Sequence, residues 1–178
     1  MNFNEYLETK DAVYGVFTKT NDPFFIEILG RAGFDFVILD SEHGPNDPRA
    51  LYPLIMAASL NEMYPIVRVP KLTDIDIQRV MDLGVAGVQI PQIQCKEDAL
   101  QVRQFTRFYP KGLRGVCRFV RPADFSLKDK KYKTYHFNLE KLSRNFKPFF
   151  VVLYCCKRLC GFCGFVIVRY FCSNNGFK

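Results

Sequence analysis

Gly33-Phe-Asp-Phe-Val-Ile-Leu-Asp-Ser-Glu-His-Gly-Pro-Asn46 is the stretch on which the fold turns. Its first part, residues 34–40, carries four successive apolar residues, Phe36 to Leu39, as a strand buried on both faces of a parallel sheet does. Its second part, Ser41 to Asn46, is a polar loop. Asp47-Pro48 then opens a helix. Asp47 is placed to cap it, and Pro48 sits at the first helical position, where a missing N–H costs nothing. Leu51, Leu54, Ile55 and Ala58 recur on one helical face. The stretch therefore reads as the hinge of a strand–loop–helix unit.

The same unit repeats on both sides. Upstream, Val13 to Thr18 reads as a strand, and Asp22 and Pro23 start a helix carrying Phe24, Phe25, Ile28 and Leu29, with Gly33 as its stop. Downstream, Pro65 to Val69 is a third strand. A helix from about Thr73 to Leu83, closed by Gly84, follows it. Gly87 to Ile90 is a fourth strand, and Lys96 to Phe108 is a charged amphipathic helix ended by Tyr109-Pro110. This rhythm predicts an α/β fold whose strands 13–18, 34–40, 65–69 and 87–91 lie side by side, parallel and in sequential order, with right-handed crossovers. Periodicity alone leaves a closed barrel and an open doubly wound sheet both standing. No GxGxxG or GxxxxGK[ST] follows any strand, which argues against a nucleotide site, and no internal repeat is visible.

Charge and cysteine divide the chain in two. Residues 1–126 hold 14 Lys+Arg and 16 Asp+Glu, whereas residues 127–178 hold 11 and 2. The net charge of +7 is thus a property of the tail, and it does not argue for a nucleic-acid partner of the body. Cys95 and Cys117 lie in the body; Cys155, Cys156, Cys160, Cys163 and Cys172 crowd the tail. The amino terminus has no basic patch followed by an apolar run, so a secretory signal is not expected, the cytoplasm is the expected compartment, and a disulfide framework is not expected. The expected domains are 1–126 and a basic, Cys- and Phe-rich tail, 127–178, packing poorly against the body. Within that tail, 149–156 and 161–168 are the strand candidates. One CxxC knuckle is a poor zinc signature. Lys157 and Arg158 interrupt the run from Phe149 to Cys172, so no membrane span is expected.

In parallel α/β folds, chemistry gathers at the carboxyl ends of strands. There the second strand is followed by Asp40, Ser41, Glu42 and His43, and the third ends in Arg68. A histidine beside carboxylates suits a general base. An arginine suits a substrate carboxylate or a developing enolate. Together they fit proton abstraction and C–C bond chemistry on a small anion. The structural alternative is a loop histidine that caps a helix or pairs with Glu42.

Five segments, at matching order and spacing, resemble the HpcH/HpaI aldolase family over about residues 11–125. They are 33–46, Pro65-Ile-Val-Arg-Val-Pro70, Ile77-Gln-Arg-Val-Met-Asp-Leu-Gly84, Val88-Gln-Ile-Pro91 and Arg107-Phe-Tyr-Pro-Lys-Gly-Leu-Arg-Gly-Val116. The resemblance implies the amino-terminal half of a (β/α)8 TIM-type barrel, incomplete here. It implies a metal-dependent aldolase that cleaves or forms 4-hydroxy-2-oxo acids, with pyruvate and an aldehyde as partners. It further implies a divalent cation (Mg²⁺, Mn²⁺ or Co²⁺), a small 2-oxo-acid substrate and a homo-oligomer. By position, His43 matches the catalytic base, Arg68 the residue that stabilises the enolate, and Asp82 the carboxylate that raises the basicity of the histidine. Asp40 and Glu42 match supporting positions. As the last turn of a helix, Asp82 points to the opposite end of a barrel, so it reaches a histidine only through a bend or from a neighbouring subunit.

The resemblance also implies two acidic metal ligands, a Glu just after the fifth strand and an Asp after the sixth. Residues 145–156 contain neither, and no acidic residue follows Glu140. A full barrel takes roughly 250 residues, against 178 here. The alternative expectation is therefore a truncated or inactive family member, its second half replaced through a frameshift or misread intron, that at most associates with full-length subunits.

Overall fold

The computed structural model describes residues 2–126, together with the backbone of 149–151 and 165–168. The elements run α1 (Phe3–Leu7), β1 (Val13–Thr18), α2 (Pro23–Arg31), β2 (Phe36–Asp40), α3 (Pro48–Leu60), β3 (Tyr64–Arg68), α4 (Asp74–Asp82), β4 (Gly87–Gln89), α5 (Lys96–Thr106), a 3₁₀ segment (Arg121–Ser126), β5 (Phe149–Val151) and β6 (Phe165–Val168). β1 to β4 are adjacent, parallel and in sequential order, as the alternating pattern predicts. The helix starts also follow the sequence. The Asp22 side chain accepts from the N–H of Phe24, and Asp47 accepts from those of Arg49 and Ala50. Gly33 and Gly84 sit at φ +90° and +86°, the left-handed turn that ends α2 and α4 and that a side chain resists.

The sheet separates two cores. Val37, Leu39, Val67, Val69 and Val88 meet α2, α3 and α4 on the helical face. On the other face, Val13, Phe36, Ile38 and Ile66 are covered by Phe3 and Leu7 of α1. That short helix is absent from the sequence reading above. Its signal was Asn2 and Glu5, whose side chains cap each other's backbone N–H in a reciprocal box. Strand β2 starts at Phe36 rather than residue 34 because Asp35 is a latch. Its carboxylate accepts the Tyr14 N–H at 2.8 Å and the Tyr6 hydroxyl, tying α1 and β1 to the foot of β2.

Two segments of the tail are strands, each inside a stretch that the sequence marks as a strand candidate, 149–156 and 161–168. β5 pairs in parallel with β4, and β6 pairs antiparallel with β1, giving the sheet order β5-β4-β3-β2-β1-β6. An edge strand with unpaired N–H and C=O groups is a template for any extended segment, and Phe149–Val151 and Phe165–Val168 have the apolar, β-branched composition to add there. Other statements about 127–178, including the cysteine cluster and the packing of the tail, fall outside the described residues. Among the described residues, no helix is long and apolar enough to cross a membrane.

Candidate active site

Side chains alternate along a strand, so Asp40 shares the α1-facing side of the sheet with Phe36 and Ile38. Register places it opposite Arg68, and Arg68 opposite Gln89. A polar row thus crosses the carboxyl ends of β2, β3 and β4, where an all-apolar strand interior stops.

Asp40 is the hub of this row. It is fully buried, and its carboxylate accepts a two-pronged hydrogen bond from Arg68, Nε to Oδ1 at 2.9 Å and the terminal nitrogen to Oδ2 at 2.7 Å. The same Oδ1 accepts the backbone N–H groups of Glu42 and His43 at 3.0 and 3.2 Å, curling the loop around it. Burial pushes the Asp40 pKa upward. The Arg68 and backbone hydrogen bonds, together with the Arg68 charge, outweigh that push and hold it below the ordinary carboxylate value.

Arg68 is gripped on several sides. Its second terminal nitrogen lies 3.1 Å from Glu42 Oε2, and its guanidinium stacks 4.7 Å from the centre of the Phe17 ring. The Arg68 carbonyl accepts the Ser41 N–H at 3.0 Å and the Ser41 hydroxyl at 2.7 Å, so the β2 loop and the β3 end hold each other. Gly44 lets the loop close. A Cβ there would meet the Asp40 carbonyl oxygen at 2.3 Å. Asn46 braces the turn by donating to the carbonyls of Thr20 and Asp40, both at 3.2 Å. His43 stands at the outer edge, its side chain 64% exposed, with Nε2 3.7 Å from Glu42 Oε1. That separation is too long for a hydrogen bond.

Of the residues singled out by sequence, Asp40, Glu42, His43 and Arg68 come together. Asp82 does not join them within the chain. It ends α4 and binds Arg114, at 2.5 Å, on the far end of the β3–α4–β4 unit. Phe17, Ser41, Asn46 and Gln89 are the additions. Phe17 and Gln89 were readable from strand alternation once register was known, whereas Ser41 and Asn46 act through backbone contacts that leave no pattern in sequence.

A profile of HpcH/HpaI aldolase/citrate lyase proteins matches residues 13–144. The chain belongs to the HpcH/HpaI aldolase/citrate lyase family. The match reaches past residue 125, where the resemblance in sequence motifs ends. A 5-keto-4-deoxy-D-glucarate aldolase of Escherichia coli O139:H28 is 39% identical over 114 residues, covering 64% of this chain and 44% of the relative. The chain therefore spans less than half the length of the curated relatives it matches. Among solved structures, an HpcH/HpaI family protein from Burkholderia cenocepacia J2315 superposes with a TM-score of 0.69 at 29% identity, over 82% of this chain and 57% of that one. The citrate synthase SbnG superposes at 0.62 with 36% identity, over 65% and 47%. The parallel four-stranded sheet with its alternating helices is the corresponding half of the family's TIM-type barrel.

The described residues do not fit a divalent cation by themselves. Among them, no group of three or more His, Cys, Asp or Glu side chains is arranged to hold a metal ion. The two rim carboxylates are both taken by Arg68. A hard cation needs several oxygen donors at once.

Proposed function

We propose that the rim of Asp40, Glu42, His43 and Arg68 is the acid–base half of a carbon–carbon lyase site for small 2-oxo acids, acting on 4-hydroxy-2-oxo acids to give pyruvate and an aldehyde. The observation that carries this reading is Arg68 itself. It is a guanidinium fixed in plane by two carboxylates and an aromatic face, on the barrel rim, next to an exposed imidazole.

The chemistry follows from those groups. His43 removes the proton of the C4 hydroxyl. The C3–C4 bond breaks, the aldehyde leaves, and the bonding pair moves into the enolate of pyruvate. Arg68 holds the enolate oxygen as negative charge builds there, and C3 is then protonated to release pyruvate. Asp40 keeps the guanidinium in place. Asp82 fits the supporting role for His43 only across a subunit boundary, since within the chain it is committed to Arg114. An oligomer of family type is part of this reading. The exposed free thiols Cys95 and Cys117 suit a cytoplasmic setting.

A second reading is favoured by one observation, the lack of a cation site among the described residues. On that reading the chain keeps the positioning half of the site and does no chemistry alone. Both readings are tested together. Pyruvate release is assayed for the 178-residue protein with Mg²⁺, Mn²⁺ or Co²⁺, and for a fusion to the second half of a relative. Turnover is expected only in the fusion, and His43→Ala is expected to lower it roughly 100- to 10,000-fold. Turnover by the fusion that survives His43→Ala would remove His43 from the mechanism. Robust turnover by the short chain would remove the second reading.

A further inference from the structure

Gln89 is the third member of the polar row, and the mechanism above leaves it unused. It is the last residue of β4, paired in register with Arg68 and so on the same face of the sheet. Only 6% of it is exposed. Its side-chain carbonyl oxygen is buried and accepts no hydrogen bond among the described residues. Nor does its amide nitrogen donate to any of them. A buried carbonyl oxygen without a partner is costly, and native proteins keep few of them away from sites where a ligand or water completes the set.

Asn46 gives the contrast. Its Oδ1 is also buried without a partner, but its nitrogen donates to two loop carbonyls, which accounts for the residue as a brace. Gln89 braces nothing. The row beside it holds Asp40 and Arg68, already paired with each other one strand spacing apart. A neutral amide in that place adds no charge to compete for Arg68. It offers an acceptor and two donors to an uncharged polar group, with a hydroxyl the simplest match.

We propose that Gln89 is a specificity-determining residue, its amide hydrogen-bonding a hydroxyl carried by the 2-oxo acid whose oxo-acid end Arg68 holds. The proposal rests on the reading of the rim as a 2-oxo-acid site, and the experiment separates the two. The 178-residue protein is titrated with pyruvate and with hydroxypyruvate, which differ by one hydroxyl. Side-chain NMR signals of Arg68 and Gln89 report each titration. Two carboxylates share the rim with the guanidinium, so affinities in the millimolar range are expected for both acids.

Hydroxypyruvate is expected to bind about 3- to 10-fold more tightly, the range of one net hydrogen bond, and to shift the Gln89 amide. Gln89→Met, similar in length and apolar, should erase that preference and leave pyruvate affinity within about twofold. Gln89→Glu, which keeps an acceptor but adds negative charge beside Arg68, should weaken both ligands. Far-UV circular dichroism identifies any variant that loses the fold, and the other variant then carries the test. A preference for hydroxypyruvate that persists in Gln89→Met overturns the proposal, as does equal binding of the two acids by the unaltered protein. Failure of both acids to move the Arg68 signals overturns the underlying reading of the rim, and this proposal with it.

Discussion

Arg68 and Arg114 are near mirror images. Each is held by an aspartate, Asp40 or Asp82, and each stacks on a phenylalanine, Phe17 at 4.7 Å or Phe108 at 4.8 Å. The difference lies in which partner faces outward. At the carboxyl ends of β2 and β3, the aspartate is fully buried and the arginine side chain is 16% exposed. At the end of α4, the arginine is 1% exposed and the aspartate 20%. In the first pair a sunken anion presents a cation. In the second a sunken cation is bolted from outside by an anion, which fixes the segment after α5 to α4. Burial pushes the Arg114 pKa down, and the Asp82 hydrogen bond and charge recover only part of it, whereas the Asp40 pKa ends below its usual value. One geometry leaves a guanidinium partly open at the rim, and the other fastens the segment after α5 to α4.

The largest expected effect comes from breaking the first pair. Arg68→Met strands a buried carboxylate and should cost about 3–5 kcal/mol of stability by urea denaturation. A loss under 1 kcal/mol would mean that Asp40 is not sealed from water as the structure has it.

Acid sharpens the same pair. The folded-state pKa of Asp40 lies below the ordinary aspartate value of 3.8. Its contribution is therefore fully present above that value and is lost as pH falls through the folded pKa, each unit of depression being worth about 1.4 kcal/mol. Denaturation midpoints measured from pH 7 down to pH 2 should fall more steeply for the unaltered protein than for Asp40→Asn. Parallel curves would count against Asp40 as the acid-sensitive group.

The second pair should yield less. After Arg114→Met, Asp82 regains water, and a methionine fills much of the vacated space, so the loss should be about 1–2 kcal/mol. If this variant proves as damaging as Arg68→Met, the contrast between the two pairs is wrong.

Tyr6 supplies the smallest effect, because its aspartate, Asp35, has a neutral partner. Tyr6→Phe should cost about 1 kcal/mol. The Asp35 hydrogen bond, with burial and the Asp35 charge, pushes the Tyr6 phenol up to about 12. A raised pKa gives stability below pH 10 that disappears as pH climbs toward 12. The unaltered protein should lose that increment over this window and Tyr6→Phe should not, as monitored by thermal melts.

Much of the fold was legible in local chemistry. Asp22-Pro23 and Asp47-Pro48 set helix starts through caps that act within three residues, and the uninterrupted apolar run before Asp40 reads as a strand covered on both sides. Within the site, Asp40, Glu42 and His43 are sequence neighbours, and Arg68 ends the next strand, so parallel order brought them together. Asp82 was less legible. Its partner lies 32 residues away, in a segment with no periodic signal. α1 was missed because its five residues carry too little periodicity to stand out, although the box of Asn2 and Glu5 was present.

The sequence by itself determined that β1 to β4 alternate with helices, where α2 to α4 begin, where α2 and α4 stop, and which residue types stand at the strand ends. These are short-range matters of capping, side-chain period and chain connectivity. Only the tertiary structure decided that Asp40 is the buried hub of Arg68 and the His43 loop, that Asp82 serves Arg114, that Gln89 joins the row, and that Phe149–Val151 and Phe165–Val168 take the edges of the sheet. Each of those depends on register and burial. A carboxylate's pKa and partners follow from what surrounds it in space, and residues far apart in the chain supply most of those surroundings.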